Sequence, residues 1–181
     1  MKTRFFAAAL LFLAAVGFSP IAEAQTAPIP STFRVLGQVA KPTTFDLTVL
    51  KKLPVTSENV TYFAAGLVQS HNFTGASLWD LLQSVGGIIV DPKVKNDILR
   101  SAVIITGSDG YGYASVFGAG EIAPGFGGDQ IMIAYAQDGL PLGPDGFAKI
   151  IAPGDKMGGR FVSNIVKIEV RKVALPTDSL R

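Results

Sequence analysis

The chain has 181 residues, a length that predicts a single domain. Its 16 basic and 14 acidic side chains give a net charge of +2, and no clustered basic face is evident, so we expect no nucleic-acid partner. The sequence has no cysteine, which excludes disulfides, thiolate catalysis and metal sites built on cysteine sulfur. The domain must therefore be stabilised by its hydrophobic core alone.

The N-terminal residues have the pattern of an export signal. Lys2 and Arg4 precede an unbroken apolar run, Phe5–Phe18, and Ala22-Glu23-Ala24 places small residues where a signal peptidase cleaves. This run is shorter than the roughly 20 residues of a bilayer-spanning helix. We expect an exported, periplasmic protein (secreted where no outer membrane exists) whose mature form is not membrane-spanning. The expected division is a signal peptide at 1–24, a tether at 25–31, a domain at 32–173 and a C-terminal tail at 174–181.

In chain order, the mature sequence predicts mostly strands. They are predicted from β-branched and aromatic content and from alternation, at Thr32–Val39, Thr44–Leu47, Val60–Ala65, Ala102–Thr106, Tyr111–Phe117, Ile131–Ala136, Phe147–Ala152 and Phe161–Val173. Asp138-Gly139 predicts a hairpin turn. The strands are numerous and short, which indicates a β-rich domain.

One helix is clearly predicted, at Leu78–Val85. Its apolar residues recur at helical spacing and form a single stripe. Ser77 is the expected N-cap, with Asp80 three residues on as an acidic variant of the capping box. A second short helix is predicted from Pro92 to Ile98. The sum is an α+β, β-rich fold with one or two short helices packed on mixed sheets.

Four phrases then fall in the order and spacing of a known family. They are FTGASLWDLL at Phe73–Leu82, SDGY at Ser108–Tyr111, AYAQDGLPL at Ala134–Leu142 and APGDKMGGRFV at Ala152–Val162. Together they resemble the oxidoreductase molybdopterin-binding domain of the sulfite oxidase family, over about Thr32 to Val173. The resemblance implies that family's sulfite-oxidase-type molybdopterin-binding fold, with a pterin cofactor held in a cleft.

Two departures from the family pattern bear on the chemistry. Family enzymes hold molybdenum through a cysteine thiolate that follows the strand matching Val60–Ala65, whereas Phe63–Gly66 carries no sulfur. Ala or Gly cannot replace a soft thiolate ligand, so we do not expect molybdenum. The family also anchors the pterin phosphate with an arginine and a lysine. Arg160 matches the arginine, but Ser163 stands at the lysine position, so one of two phosphate-binding cations is missing.

Arg160 is the first candidate for a ligand contact. Behind Gly158 and Gly159, its guanidinium can approach a phosphate or the polar edge of a pterin through two hydrogen bonds. The alternative is a surface salt bridge with Asp155 or Glu169. The family position favours the ligand contact.

Ser108, Asp109 and Tyr111 occupy a turn that the resemblance puts beside the cleft. A carboxylate suits the aminopyrimidine edge of a pterin, because that edge presents two N–H donors. Asp109 equally suits a turn residue that bonds its own backbone. Both interpretations of this residue stay open.

Two further residues are candidates for cofactor contact. His71 is the one histidine of the chain and cannot form a metal site unaided. It either hydrogen-bonds a ligand from the segment before Phe73 or is an exposed loop residue, which the sequence favours. Trp79 lies one position off the leucine stripe, where a half-buried packing role is favoured over stacking on a ligand ring.

These observations predict an exported pterin-binding protein without molybdenum and without a catalytic residue. The resemblance permits a sensor role, because some cysteine-less relatives are exported pterin binders that report to a membrane-bound signalling protein. The first alternative is a molybdopterin-dependent oxidoreductase, or its subunit, that holds the cofactor without a cysteine ligand. The second is a domain that only makes protein contacts, for example through the apolar loop Ile122–Gly128.

Overall fold

The structure is a computed structural model that describes residues 28–108, 113–128 and 130–174. The expected signal peptide, the candidate residues Asp109 and Tyr111, and residues 175–181 lie outside these ranges. The strands are β1 (Phe33–Gly37), β2 (Thr43–Phe45), β3 (Val55–Ala64), β4 (Leu67–Ser77), β5 (Ser101–Gly107), β6 (Ala114–Gly118), β7 (Met132–Gln137), β8 (Leu140–Pro141), β9 (Lys149–Ile151) and β10 (Ile165–Lys172). The α-helices are α1 (Leu47–Leu50), α2 (Leu78–Ser84) and α3 (Ala119–Ile122), with 3-10 turns at Asp97–Arg100, Gly143–Asp145 and Gly158–Arg160.

The strands form two five-stranded sheets. The first has the order β2-β1-β10-β5-β6 and is mixed, because β1 runs parallel to β10 while its other neighbours are antiparallel. The second has the order β3-β4-β7-β8, with β9 also paired to β7, and its strands are antiparallel. This is a β-rich α+β architecture with few helices.

One hydrophobic core joins both sheets and α2. The large side chains with almost no exposure come from each of them: Phe33, Phe73, Phe117, Leu50, Leu78, Leu81, Leu82, Ile105, Ile131, Met132, Ile133 and Ile150. Helix α2 contributes the predicted leucine stripe. Its N-terminus is fixed by Ser77, whose hydroxyl accepts from the Asp80 N–H at 2.9 Å and donates to the Asp80 carboxylate at 2.7 Å.

The β3–β4 hairpin positions the candidate site. Its turn consists of Ala65 and Gly66, both with positive φ (51° and 79°), and Ala64 pairs with Leu67 across it. Such a two-residue turn fixes the register of the strands. Alternation along β3 then turns Val60, Tyr62 and Ala64 to the inner face of the sheet, where Val60 and Tyr62 are buried.

Three predictions about local structure are wrong. Residues 67–77 form the eleven-residue strand β4, so His71 lies in a strand and not in a loop. The helix predicted from Pro92 is replaced by turns and a 3-10 turn at Asp97–Arg100, preceded by Asn96 in the left-handed region (φ 55°). The last strand begins at Ile165 and not at Phe161. The turn at Asp138-Gly139 is confirmed, with positive φ at both residues.

None of the helices in the described ranges is both long and apolar enough to cross a bilayer.

Candidate functional site

Arg160 lies at the end of a 3-10 turn and is held by two carboxylates. Its Nε donates to Asp155 Oδ2 at 2.8 Å and its Nη2 donates to Asp155 Oδ1 at 2.6 Å, a two-point ion pair. Its Nη1 donates to Glu121 Oε1 at 3.1 Å. Of the two salt bridges considered from the sequence, the one with Asp155 forms, while Glu169 pairs with Lys167 and Arg171. Three of the five guanidinium N–H groups are thus engaged.

The first sheet supplies the platform below this arginine. The Arg160 guanidinium carbon lies 4.6 Å from the centroid of the Phe117 ring, a cation–π contact with a fully buried residue of β6. The neighbouring Ser115 donates its hydroxyl hydrogen bond to the Arg160 carbonyl at 2.8 Å. The side chain and the backbone of Arg160 are therefore both fixed, and the side chain remains about one-third exposed, at 36%.

The second sheet holds the loop that carries this arginine. The Phe63 N–H donates to the Lys156 carbonyl at 2.9 Å, and Phe63 and Met157 form a parallel bridge. A Cβ placed on Gly158 would lie 3.0 Å from the Tyr62 ring and 3.3 Å from Ala64 Cβ. The segment Phe63–Gly66, which the resemblance matches to the molybdenum-ligating position, thus lies directly against the loop with Arg160. The candidate site is defined here as this loop, 154–160, and the hairpin end beside it.

The loop borders an open depression of about 470 Å³, lined by Gly154, Asp155, Lys156, Met157, Gly159 and Arg160. Gly159 meets no atom within 4 Å of an added Cβ, so its α-carbon faces open space. Gly158 faces the hairpin instead. The two adjacent glycines therefore have different surroundings, and Gly159 is the one that leaves room for a ligand.

Ser163 belongs to a hydrogen-bonded cluster around the carboxylate of Asp145. The Ser163 hydroxyl donates to Asp145 Oδ1 at 2.9 Å, and Lys149 Nζ donates to Asp145 Oδ2 at 2.6 Å. The Lys149 side chain is 13% exposed, so its charge is largely committed to Asp145. Lys149 and Ser163, which the resemblance aligns with a lysine, thus bond the same carboxylate.

His71 and Tyr62 lie on the inner face of the same hairpin. His71 Nδ1 lies 2.7 Å from Asp138 Oδ2, and the other oxygen of Asp138 accepts from the Asn72 N–H at 2.9 Å. The Tyr62 ring packs at 4.7 Å from Phe161 and at 6.4 Å from His71. His71 is therefore linked to the loop 154–160 through Tyr62, which contacts Gly158.

The charges of the site shift its protonation equilibria. The hydrogen bonds from Arg160 to Asp155 raise the pKa of the guanidinium, with Glu121 adding to the effect and partial burial opposing it. Burial raises the pKa of the Tyr62 hydroxyl, and Asp145 and Asp138 raise it further. The Asn72 N–H lowers the pKa of Asp138, and His71 lowers it further. Arg160 is thus a permanent cation and Asp138 a carboxylate over the neutral range.

The remaining sequence candidates lie apart from this site or outside the described residues. Ser108 follows β5, and its N–H donates to the Asn164 carbonyl at 3.0 Å, beside position 163. Trp79 lines a different groove of about 320 Å³, together with Pro54, Asp80, Ile122 and Pro124, which shares no lining residue with the depression. Asp109 and Tyr111 lie outside the described ranges, so their contacts stay predictions.

Several residues of the site were missed from the sequence. Glu121 and Phe117 lie about 40 positions before Arg160 and reach it only through the fold of β6 and α3. Asp145 and Lys149 carry no motif. Tyr62 lies within a predicted strand, and alternation alone would have put it on the buried face.

A metal is a poor fit to this site. Within the described ranges, no three His, Asp or Glu side chains come together in a way that could hold a metal ion. The hairpin position that the resemblance matches to the thiolate ligand offers carbon side chains, with Ala64 turned to the inner face. The donor set of the hairpin end does not match what molybdenum requires.

Comparison with known proteins supports a related fold. No protein-family model matches the chain, and no curated protein matches it. Among solved structures, it is similar to the sulfane dehydrogenase SoxCD from Paracoccus pantotrophus, with a TM-score of 0.63 and 19% sequence identity. The match covers 77% of this chain but only 37% of that chain, so this chain spans well under half of its length. At this identity the likeness establishes the fold alone: the chain has a fold related to that of the sulfane dehydrogenase.

Proposed function

We propose that this protein is an exported, non-catalytic binding protein for a pterin that carries no molybdenum. The observation that carries the proposal is that the hairpin position without sulfur lies against the loop that carries Arg160. Ala64 and its neighbours, without sulfur, lie against the loop of Arg160, whose charge is balanced by Asp155 and Glu121. A cleft with this composition retains polar contacts for a ring system but offers no ligand for the metal.

The charge balance supports a ligand without a phosphate group. Arg160 and Lys149 are the cations of the two hydrogen-bonded clusters, and they face the carboxylates of Asp155, Glu121 and Asp145. A phosphate would have to displace one of these carboxylates or accept their repulsion. A neutral pterin has N–H donors on its aminopyrimidine edge, and these suit carboxylate acceptors.

The residues available to such a ligand differ in what they supply. Three of the five Arg160 N–H groups are engaged by described residues, which leaves two for a ligand, and Gly159 leaves open space beside it. Asp155 presents carboxylate oxygens at the same depression. Ser108, Asp109, Tyr111 and His71 remain candidates for further contacts, and Trp79 would contact only a ligand that reaches its separate groove.

The test is a binding experiment on protein purified from its export compartment. Native mass spectrometry and metal analysis report what is bound, and titrations with reduced and oxidised neopterin measure affinity. We expect a bound pterin without molybdenum, and we expect Arg160→Ala to weaken binding by about tenfold or more, the loss of a charged hydrogen bond. Arg171→Ala is the matched control, because Arg171 pairs with Glu169 on β10, away from the depression.

Stoichiometric molybdenum in the purified protein would reject the proposal and favour a molybdopterin-dependent oxidoreductase or its subunit. Absence of any pterin binding would leave a domain that makes only protein contacts. A sensor role with a membrane-bound signalling protein is part of the proposal and rests on the sequence resemblance. Its test compares cells that lack the gene with cells that carry Arg160→Ala: both should change the activity of the same membrane-bound signalling protein.

A further inference from the structure

Strand β3 forms an open edge of the second sheet. It has ten residues, and in the described part of the chain its strand partners are β4 on one side and, at Phe63 alone, the loop residues Lys156 and Met157 on the other. The other edge strands are shorter: β2 and β9 have three residues, β8 has two and β6 has five. Among the described residues, the long free edge is therefore that of β3.

The register of the hairpin identifies the unpaired groups. Across a two-residue turn, Ala64 and Leu67 exchange backbone hydrogen bonds, so the alternate residues of β3 turn their N–H and C=O groups away from β4. The Phe63 N–H obeys this rule, because it donates outward to Lys156. By the same alternation, the backbone groups of Ser57, Asn59 and Thr61 face outward. No described backbone group reaches them.

This edge lacks most of the devices that protect sheet edges from new partners, and its one charge, Glu58 on the inner face, is the exception. Its sequence, VTSENVTYFA, contains no lysine, arginine or proline, and its register with β4 is continuous, without a bulge. On the outer face of the sheet, the side chains of this strand are uncharged. Those of Ser57, Asn59 and Thr61 bond Thr74, Asn72 and Ser70 across the hairpin at 3.0 Å each. An unpaired edge with a continuous register is the kind of surface that extended peptides bind by strand addition.

The single charge of β3 indicates which extended segment fits. Glu58 lies on the inner face of the strand, and it makes no hydrogen bond or ion pair within the described ranges. If a second copy paired antiparallel across a two-fold axis at Glu58 or Asn59, the two Glu58 carboxylates would be direct or diagonal neighbours, which is unfavourable. A partner strand with a basic side chain opposite Glu58 would gain an ion pair instead.

We propose that the free edge of β3 binds an extended segment of another protein by strand addition, with a lysine or arginine of that segment opposite Glu58. The backbone groups of Ser57, Asn59 and Thr61 give the affinity, and Glu58 gives the preference for a basic residue. The inference is independent of the proposed pterin binding. It assigns an interaction surface to residues Ser57–Thr61, which do not line the depression beside Arg160.

The test uses two synthetic peptides of threonine and valine that differ only in a central lysine or glutamate. Amide hydrogen exchange, followed by NMR, reports on the edge residues Ser57, Asn59 and Thr61. The amides of Glu58, Val60 and Tyr62 already bond β4 and serve as internal controls. We expect the lysine peptide to slow exchange at the edge amides only, and to bind about fivefold more tightly than the glutamate peptide.

Two variants make the result decisive. Glu58→Lys should reverse the preference between the peptides, and its thermal unfolding, compared with that of the parent protein, checks that this partly buried position tolerates the lysine. Asn59→Pro removes one outward N–H, which edge strands tolerate, and should weaken binding of both peptides. Equal affinities for the two peptides, slowed exchange away from β3, or no binding of either peptide would overturn the proposal. So would dimerisation that protects the same amides without peptide, since a second copy would then be the partner.

Discussion

Gly158 and Gly159 are adjacent residues whose surroundings predict opposite responses to the same substitution. An added Cβ at Gly158 meets the Tyr62 ring and Ala64 Cβ at 3.0 and 3.3 Å, closer than ordinary van der Waals contact. We expect Gly158→Ala to lower the free energy of unfolding by about 1–3 kcal/mol, the usual cost of overpacking. Urea unfolding measures this difference.

Gly159→Ala is the matched control, because nothing lies within 4 Å of its added Cβ. We expect its free energy of unfolding to stay within about 0.5 kcal/mol of the parent protein. Equal destabilisation by both substitutions would contradict the assigned packing of the loop on Tyr62. If Gly159 borders the ligand, Gly159→Ala should also reduce pterin affinity without a loss of stability.

Glu169 predicts an acid-sensitive contribution to stability. Arg171 donates to both of its carboxylate oxygens at 2.7 and 3.0 Å, Lys167 donates at 3.1 Å, and these bonds lower the pKa of Glu169 from 4.5 to about 2. A carboxyl group with a lowered folded-state pKa stabilises the fold above its unfolded pKa, and this stabilisation is lost as the pH falls from 4.5 towards 2. Arg171 is 61% exposed, so we expect only about 0.5–1 kcal/mol.

The measurement is urea unfolding of Glu169→Gln and the parent protein at pH 7 and at pH 3. Glu169→Gln should be less stable at pH 7, and the gap should narrow at pH 3. Glu58→Gln is the control, since Glu58 has no ion pair within the described ranges. A gap for Glu169→Gln that is independent of pH would show that the loss comes from packing and not from charge.

At the scale of elements, the N-terminus of α2 depends on one hydroxyl. Ser77 caps the Asp80 N–H and bonds its carboxylate, and α2 has only seven residues, so this cap is a large part of its local stability. We expect Ser77→Ala to cost about 1 kcal/mol of unfolding free energy, measured by thermal unfolding. Ser77→Thr keeps the hydroxyl and should cost less. If the two variants are equally unstable, the loss of stability comes from the packing of the side chain at position 77 and not from the lost cap.

The sequence predicted α2 but missed β4, for physical reasons. The leucine stripe, the cap and the two glycines of α2 all lie within about ten residues, so local patterns suffice. In β4, the inward positions include Gln69 and His71, and the outward positions from Val68 to Thr74 are polar or exposed, so apolar alternation is absent there. This segment is a strand because it pairs with β3 and β7, which are tertiary contacts. The missing alternation also explains why His71 was placed in a loop.

The candidate site shows the same division between local and tertiary information. Arg160 and its glycines were predicted from a contiguous phrase, and Asp155 lies within that phrase. Glu121, Phe117 and Asp145 come from other parts of the chain, so the neutralisation of Arg160 and the network at Ser163 could not be predicted. Glu121 and Asp145 bear on the expected ligand, because they place carboxylates beside Arg160 and Ser163.

At the scale of the whole molecule, the candidate site and the free edge of β3 meet at one hydrogen bond. The Phe63 N–H donates to the Lys156 carbonyl, and Lys156 belongs to the loop that carries Arg160. A strand added along Ser57–Thr61 would end beside Lys156 and Met157. A pterin bound against this loop and a strand bound beside Lys156 would therefore share the backbone contact between Phe63 and Lys156, and we expect the two binding events to be coupled.

We expect saturating pterin to increase the affinity of the lysine peptide by about fivefold, and the peptide to increase pterin affinity by the same factor, since coupling between two sites is reciprocal. Calorimetric titration of each ligand with and without the other measures both factors.

Phe63→Pro removes the N–H that joins strand and loop, whereas Phe63→Ala keeps it and is the matched control for loss of the ring. Coupling that survives in Phe63→Pro would show that the two surfaces communicate by another route. Coupling lost in Phe63→Ala as well would assign it to the aromatic side chain. Its loss in Phe63→Pro alone would place the connection between ligand and partner in a single backbone contact.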